Sequence, residues 1–78
     1  MADTNNSMFF DYDSSDYLTD REKEVLELLV KGNSNTKIAK KLHISYYTSK
    51  AHVSSILRKL NVKDRVCAAV KAIQEHLI

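Results

Sequence analysis

The side chains best suited to bind a soft metal or to act as a nucleophile are His43, His52, His76 and Cys67. Zinc sites need closely spaced pairs of Cys or His, and the spacing of these four matches no such pattern. His43 reads instead as a turn residue, His52 as a phosphate contact, His76 as a helix end and Cys67 as packing. The chain has one glycine and so no Gly-rich phosphate loop. An enzyme is therefore the remote reading, with no catalytic residue, cofactor or metal expected. The chemistry that remains is electrostatic. Between Leu28 and Lys63 lie Lys31, Lys37, Lys40, Lys41, Lys50, Arg58, Lys59 and Lys63, with no Asp or Glu among them. A block of one sign is the footprint of a surface that meets a polyanion, although charge alone serves equally for a solvated basic face.

Within that block, "SYYTSKAHVSSILRKL" (residues 45–60) has Val53, Ile56, Leu57 and Leu60 at helical spacing. If Val53 is set at zero and each residue advances 100°, the apolar stripe centres near 350°. On the far side fall Ala51 at about 160°, Arg58 at about 140°, Tyr47 at about 120°, Ser54 at about 100°, Ser55 at about 200° and Thr48 at about 220°. His52 and Lys59, at about 260° and 240°, and Lys50, at about 60°, stand toward the edges. Small residues in the middle let a helix backbone press close to a surface, while charged flanks reach phosphates. The major groove of B-DNA is wide enough to admit such a helix. Packing of this second face against protein is the competing use, and the acid-free surroundings favour DNA.

Three further helices must position this one. In "LTDREKEVLELLVKG", Thr19 and Glu22 form a capping box, Val25, Leu26, Leu29 and Val30 make the buried side, and Gly32 suits a left-handed C-terminal cap. Ser34 or Asn35 caps a short second helix through Leu42, with Ile38, Ala39 and Leu42 on one face. At about two turns it is held only by packing. His43, Ile44 and Ser45 then turn the chain into the third helix, the outline of a helix-turn-helix. Asp64 caps a fourth helix to about His76. There Ala68, Ala72 and Ile73 are expected to face inward, leaving Val66, Cys67 and Val70 partly outside. That apolar surplus on a small domain suggests a dimer seam, with extra core as the alternative. No strand pattern is present, and the fold class is all-α, with four helices in residues 17–78. Residues 1–16, "MADTNNSMFFDYDSSD", carry four Asp and no Lys or Arg. They read as an acidic mobile arm, with docking of Phe9, Phe10 and Tyr12 onto the basic domain as the lesser alternative.

From Leu18 nearly to Ile78, the sequence resembles the DNA-binding domain of LuxR/GerE-type (FixJ/NarL-like) transcription regulators. That family opens on LTxRExEVL, continues with a G-x-SN-x-x-IA-x-x-L scaffold helix and an IS-x-x-TVK-x-H recognition start, and closes on KL-x-V and R-x-x-A. The resemblance implies a four-helix helix-turn-helix domain that places its third helix in the major groove and dimerises through its fourth. Carried over residue by residue, it puts Lys50, Ala51 and Ser54 toward the bases with Tyr47 beside them. Thr36, Thr48, His52 and Arg58 or Lys59 face the DNA backbone, and Val66, Cys67 and Val70 face a second copy. Ser49 replaces the apolar residue of TVK, and its hydroxyl is expected to bond back to the Ser45 carbonyl. Ser54 stands where many members carry a long basic or amide side chain, and His76 where the family has Gly.

The expectation is a sequence-specific transcription regulator, acting as a homodimer on double-stranded DNA and touching RNA polymerase as a further partner. The second reading is an interaction module that binds polymerase or another regulator through the same face. The absence of a signal peptide or an apolar run of about 20 residues leads to the expectation of a cytoplasmic, nucleoid-associated protein with no membrane contact. The chain suits either a small stand-alone regulator similar to GerE or the effector domain of a longer one.

Overall fold

Each of the four helices between Asp20 and Gln74 starts on a side chain that accepts a hydrogen bond from its own first turn. The computed structural model describes residues 17–78, and the acidic segment 1–16 lies outside the described residues. Helices α1 (Asp20–Val30), α2 (Asn35–Leu42), α3 (Tyr46–Leu60) and α4 (Arg65–Gln74) follow one another, with no strand among the described residues. Thr19 Oγ1 accepts from the Glu22 N–H at 3.0 Å, Ser45 Oγ from Thr48 at 3.0 Å and Asp64 Oδ1 from Cys67 at 2.8 Å. For α2 the cap is Ser34, which accepts from the Lys37 N–H at 3.2 Å, and Asn35 is the first helical residue.

The four helix ends are equally alike. Gly32, His43, Asn61 and His76 have φ of 91°, 59°, 57° and 55°. After each, the next N–H turns back onto the helix: Asn33 to Leu28 O, Ile44 to Ala39 O, Val62 to Leu57 O and Leu77 to Ala72 O, at 2.8 to 3.1 Å. This left-handed stop reverses the chain in few residues and satisfies carbonyls the helix would leave bare. His76, standing in the family's Gly position, adopts the glycine-like conformation itself. Val62 then packs against the core and Leu77 is buried in it, while Ile44 is half-buried.

The core gathers Leu18, Val25, Leu26 and Leu29 with Ile38, Val53, Ile56, Leu60, Ala68, Ala72 and Leu77. The expected stripes are present, but Val30, Leu42 and Leu57 are only partly buried at its edge. Ile73 corrects the sequence reading: it is 59% exposed. Helix α4 lays Ala68 and Ala72, both fully buried, against the rest, and small residues allow a close approach. Ile73 follows Ala72 by about 100° and is carried outward, while Leu77 from beyond the helix fills the core.

A left-handed backbone costs a side-chain-bearing residue about 1 to 2 kcal/mol, against about 0.5 to 1 kcal/mol of extra unfolded-state entropy for glycine. His43→Gly is therefore expected to raise the unfolding free energy by roughly 0.5 to 1 kcal/mol in urea titrations. No gain would show that the His43 imidazole makes a compensating interaction.

Candidate nucleic-acid interface

The turn between α2 and α3 is braced from inside. Ser49 is fully buried in the place of the family's apolar residue, and its hydroxyl lies 2.8 Å from the Asn35 carbonyl and 2.9 Å from that of Tyr46. The expected bond to Ser45 is thus replaced by one reaching across to the first residue of α2. It forms because Ser49 faces α2, where a hydroxyl must find an acceptor once it leaves water. Asn35 is also held by its side chain: Arg65 donates to its Oδ1 at 2.9 Å and, with the other guanidinium nitrogen, to the Asn33 carbonyl at 3.0 Å. One residue of α3 and one of α4 therefore fix the point where α2 begins. Thr36, the next residue, is exposed there.

A second brace fixes the rotation of α3. Glu22, only 4% exposed, accepts from the Thr19 N–H at 2.9 Å and from Lys59 Nζ at 2.8 Å on Oε1, and from the Ser55 hydroxyl at 2.7 Å on Oε2. Burial by itself would push this carboxyl up. The hydrogen bonds from Lys59, Ser55 and Thr19, together with the Lys59 charge, outweigh that effect and lower it to about 2. Lys59 also stands over the Tyr17 ring, 5.4 Å from its centroid. Its ammonium is thus turned inward to α1, and Ser55, assigned by the projection to the polar arc, is turned the same way.

What stays open on α3 is narrower than the sequence implies and is rotated. Tyr47, Thr48, Lys50, Ala51, Ser54 and Arg58 are exposed, Tyr47 at 78%. With Ser55 and Lys59 taken by α1, the free arc along the body of α3 runs from Lys50 at about 60° to Ala51 at about 160°, with Ser54 and Tyr47 near its middle, while Thr48, at about 220°, is open in the first turn. Lys50 thereby borders the open surface rather than lying outside it. Tyr47 meets Tyr46 edge to face at 5.4 Å. Thr48 accepts from the Ser45 hydroxyl at 2.9 Å, Arg58 lies 3.4 Å from Ser55 Oγ, and His52 is half-buried.

Helix α4 presents a separate surface. Val66, Val70 and Ile73 form one exposed stripe opposite the buried Ala68 and Ala72. Beside it an open groove of about 670 Å³ continues past Arg65 and Asn35 to Tyr46. Cys67 lies about 100° around from the centre of the stripe and is half-buried. A hydrogen bond to Asp64 and partial burial push its thiol up, away from the reactive thiolate.

Residues 16–72 match the family described as bacterial regulatory proteins, luxR family. The chain belongs to the luxR family. It is 52% identical over 61 residues to the response regulator protein VraR of Staphylococcus aureus, and equally to those of Staphylococcus saprophyticus and Staphylococcus epidermidis. The aligned part covers 78% of this chain and 29% of each relative. The protein is thus a luxR-family helix-turn-helix domain, of the class that serves DNA-binding transcription regulation.

In this luxR-family domain three positioning residues escape sequence reasoning: Glu22, Ser55 and Arg65. The capping box accounts for Glu22 locally and conceals the rest of its acceptor capacity, since a carboxylate can take about four hydrogen bonds. Because folding lowers its pKa, Glu22 stabilises the fold fully above its unfolded value, and this contribution fades as pH falls toward 2. The span from 4.5 to about 2 amounts to roughly 3 kcal/mol. Urea unfolding between about pH 2 and 6 should show wild-type stability rising with pH, and Glu22→Gln should remove most of that rise. The remainder belongs to Asp64, whose pKa is lowered chiefly by the hydrogen bond from the Cys67 N–H. An unchanged pH profile in Glu22→Gln would refute the assignment.

Proposed function

We propose that the domain is a sequence-specific transcription regulator that sets α3 into the major groove and pairs with a second copy through α4. Tyr47, Lys50, Ala51 and Ser54 face the bases, and Thr36, Thr48, His52 and Arg58 meet the phosphates. Of the pair Arg58 and Lys59, Arg58 is the phosphate contact, because Lys59 is engaged by Glu22. The observation that carries this reading is the exposed face of α3. It is small at Ala51 and Ser54, basic at Lys50 and Arg58, and lies within a stretch from Leu28 to Lys63 that has no acidic residue.

Ser54 offers a short hydroxyl where long amide or basic side chains read base edges, so discrimination shifts toward Tyr47 and Lys50. The second copy rests on Val66 and Val70, with Ile73 added and Cys67 at the margin. A two-fold pair of this kind reads half-sites about one helical turn apart, roughly 34 Å. The relatives are named response regulators, and the matching portion of this chain would serve as the output part of such a protein.

Selection of bound sequences from a random duplex pool tests the reading, and enrichment of a two-fold symmetric site is the expected result. Absence of enrichment would favour the interaction module instead. On the selected site, Lys50→Ala should weaken binding by about 1 to 3 kcal/mol. With about four phosphates neutralised, log affinity against log salt should fall with a slope near −4. Arg58→Ala should make that slope shallower by about one unit, and Lys59→Gln should leave it unchanged. The opposite outcome for these two would reverse their roles.

A further inference from the structure

We propose that Tyr47 and Ala51 act together as a reader of the thymine C5-methyl group, so that the bound site carries a thymine against the first two turns of α3. This deepens the reading of that face as the DNA-binding surface and rests on it. The first observation is exposure. Tyr47 is 78% exposed, and Ala51 is exposed with it. The two stand at i and i+4, about 40° apart around the helix and about 6 Å apart along it, a spacing that makes side chains neighbours on a helix surface. Ring and methyl are thus adjacent apolar surfaces within the open arc, with Lys50 and Ser54 exposed along one side.

The second observation is how the ring is held. Tyr46 meets it edge to face, with centroids 5.4 Å apart and planes at 80°, and Tyr46 is itself 44% exposed. The Tyr47 ring is therefore steadied from the side while most of it stays in water. These two tyrosines are the large apolar side chains that α3 exposes. In the major groove the base edges present hydrogen-bond donors and acceptors and one methyl group, at C5 of thymine. Pressed against a donor or acceptor, the ring and the alanine methyl would strip it of water and return no hydrogen bond. Against the thymine methyl they bury carbon on carbon. Selection therefore falls on thymine, while the Ser54 hydroxyl and the Lys50 ammonium serve the polar edges beside it.

The test uses the duplex enriched from the random pool, with each thymine of one half-site replaced in turn by deoxyuridine, which keeps the base pairing and lacks only the methyl. Wild-type protein should bind one of these duplexes about fourfold more weakly than the parent, the effect of one methyl group withdrawn from water. Tyr47→Ala and Ala51→Gly should each bind that duplex and the parent equally. Tyr47→Phe keeps the ring and should still tell them apart. The readout is a ratio within each variant, so a change in stability or in general affinity does not move it. An enriched site without thymine, no position at which uracil weakens binding, or discrimination that survives either truncation would overturn the proposal and leave DNA binding standing. A chain that enriches and binds no duplex at all would overturn the DNA-binding reading, and this proposal with it.

Discussion

A carboxylate removed from water has to be satisfied completely, and Glu22 meets that demand by drawing on three parts of the chain at once. The N-cap of α1 supplies one donor, and Ser55 and Lys59 of α3 supply the others. Two of these directional bonds come from α3 and, together with its apolar stripe, hold its azimuth about its own axis. The hydrophobic stripe of Val53, Ile56 and Leu60 determines that α3 packs inward, and Glu22 determines by how many degrees it is turned. Breaking such an arrangement on one side strands a charge, which is costlier than never having built it.

The surface available for recognition follows from that constraint. Ser55 and Lys59 are drawn to α1, leaving an arc in which Ser54 and Tyr47 are central and Lys50 and Arg58 are peripheral. The same division explains why a stretch with so many lysines does not give a uniformly sticky helix. One cation is used to assemble the fold and the others are left to solvent or a partner. On the opposite side, the alanines of α4 let the helix sink close to its neighbours, and Lys71 closes the contact by donating to the Leu60 carbonyl. The larger apolar residues of α4 are thereby left facing out.

Much of this was legible in the sequence because it is local. Capping residues, the stripe spacing of each helix and the charge block are one-dimensional patterns, and they gave the four elements and the fold class. Features needing a partner from elsewhere were hidden. Ser49 could be recognised as a polar residue in a core position, but its acceptor on Asn35 is fourteen residues away. The left-handed stops at His43, Asn61 and His76 are hidden in the sequence because only glycine announces that conformation by its chemistry. Spacing alone turns Ile73 inward, because it cannot tell that Leu77, beyond the helix, claims the core position. Within the candidate site, the residue types on α3 were readable, but which of them remain free was decided by α1.

Arg65 and Val66 are neighbours on α4, yet they face different tasks. The guanidinium grips Asn33 and Asn35 at the mouth of α2, while the valine opens to the outside. A lever of a single residue therefore connects the two surfaces. Val66 stands one residue from the arginine whose two hydrogen bonds hold the residues on either side of Ser34, next to Thr36. The exposed stripe of α4 and the start of α2 thus meet at one joint, and stiffening such a joint on one side lowers the entropy still to be lost on the other.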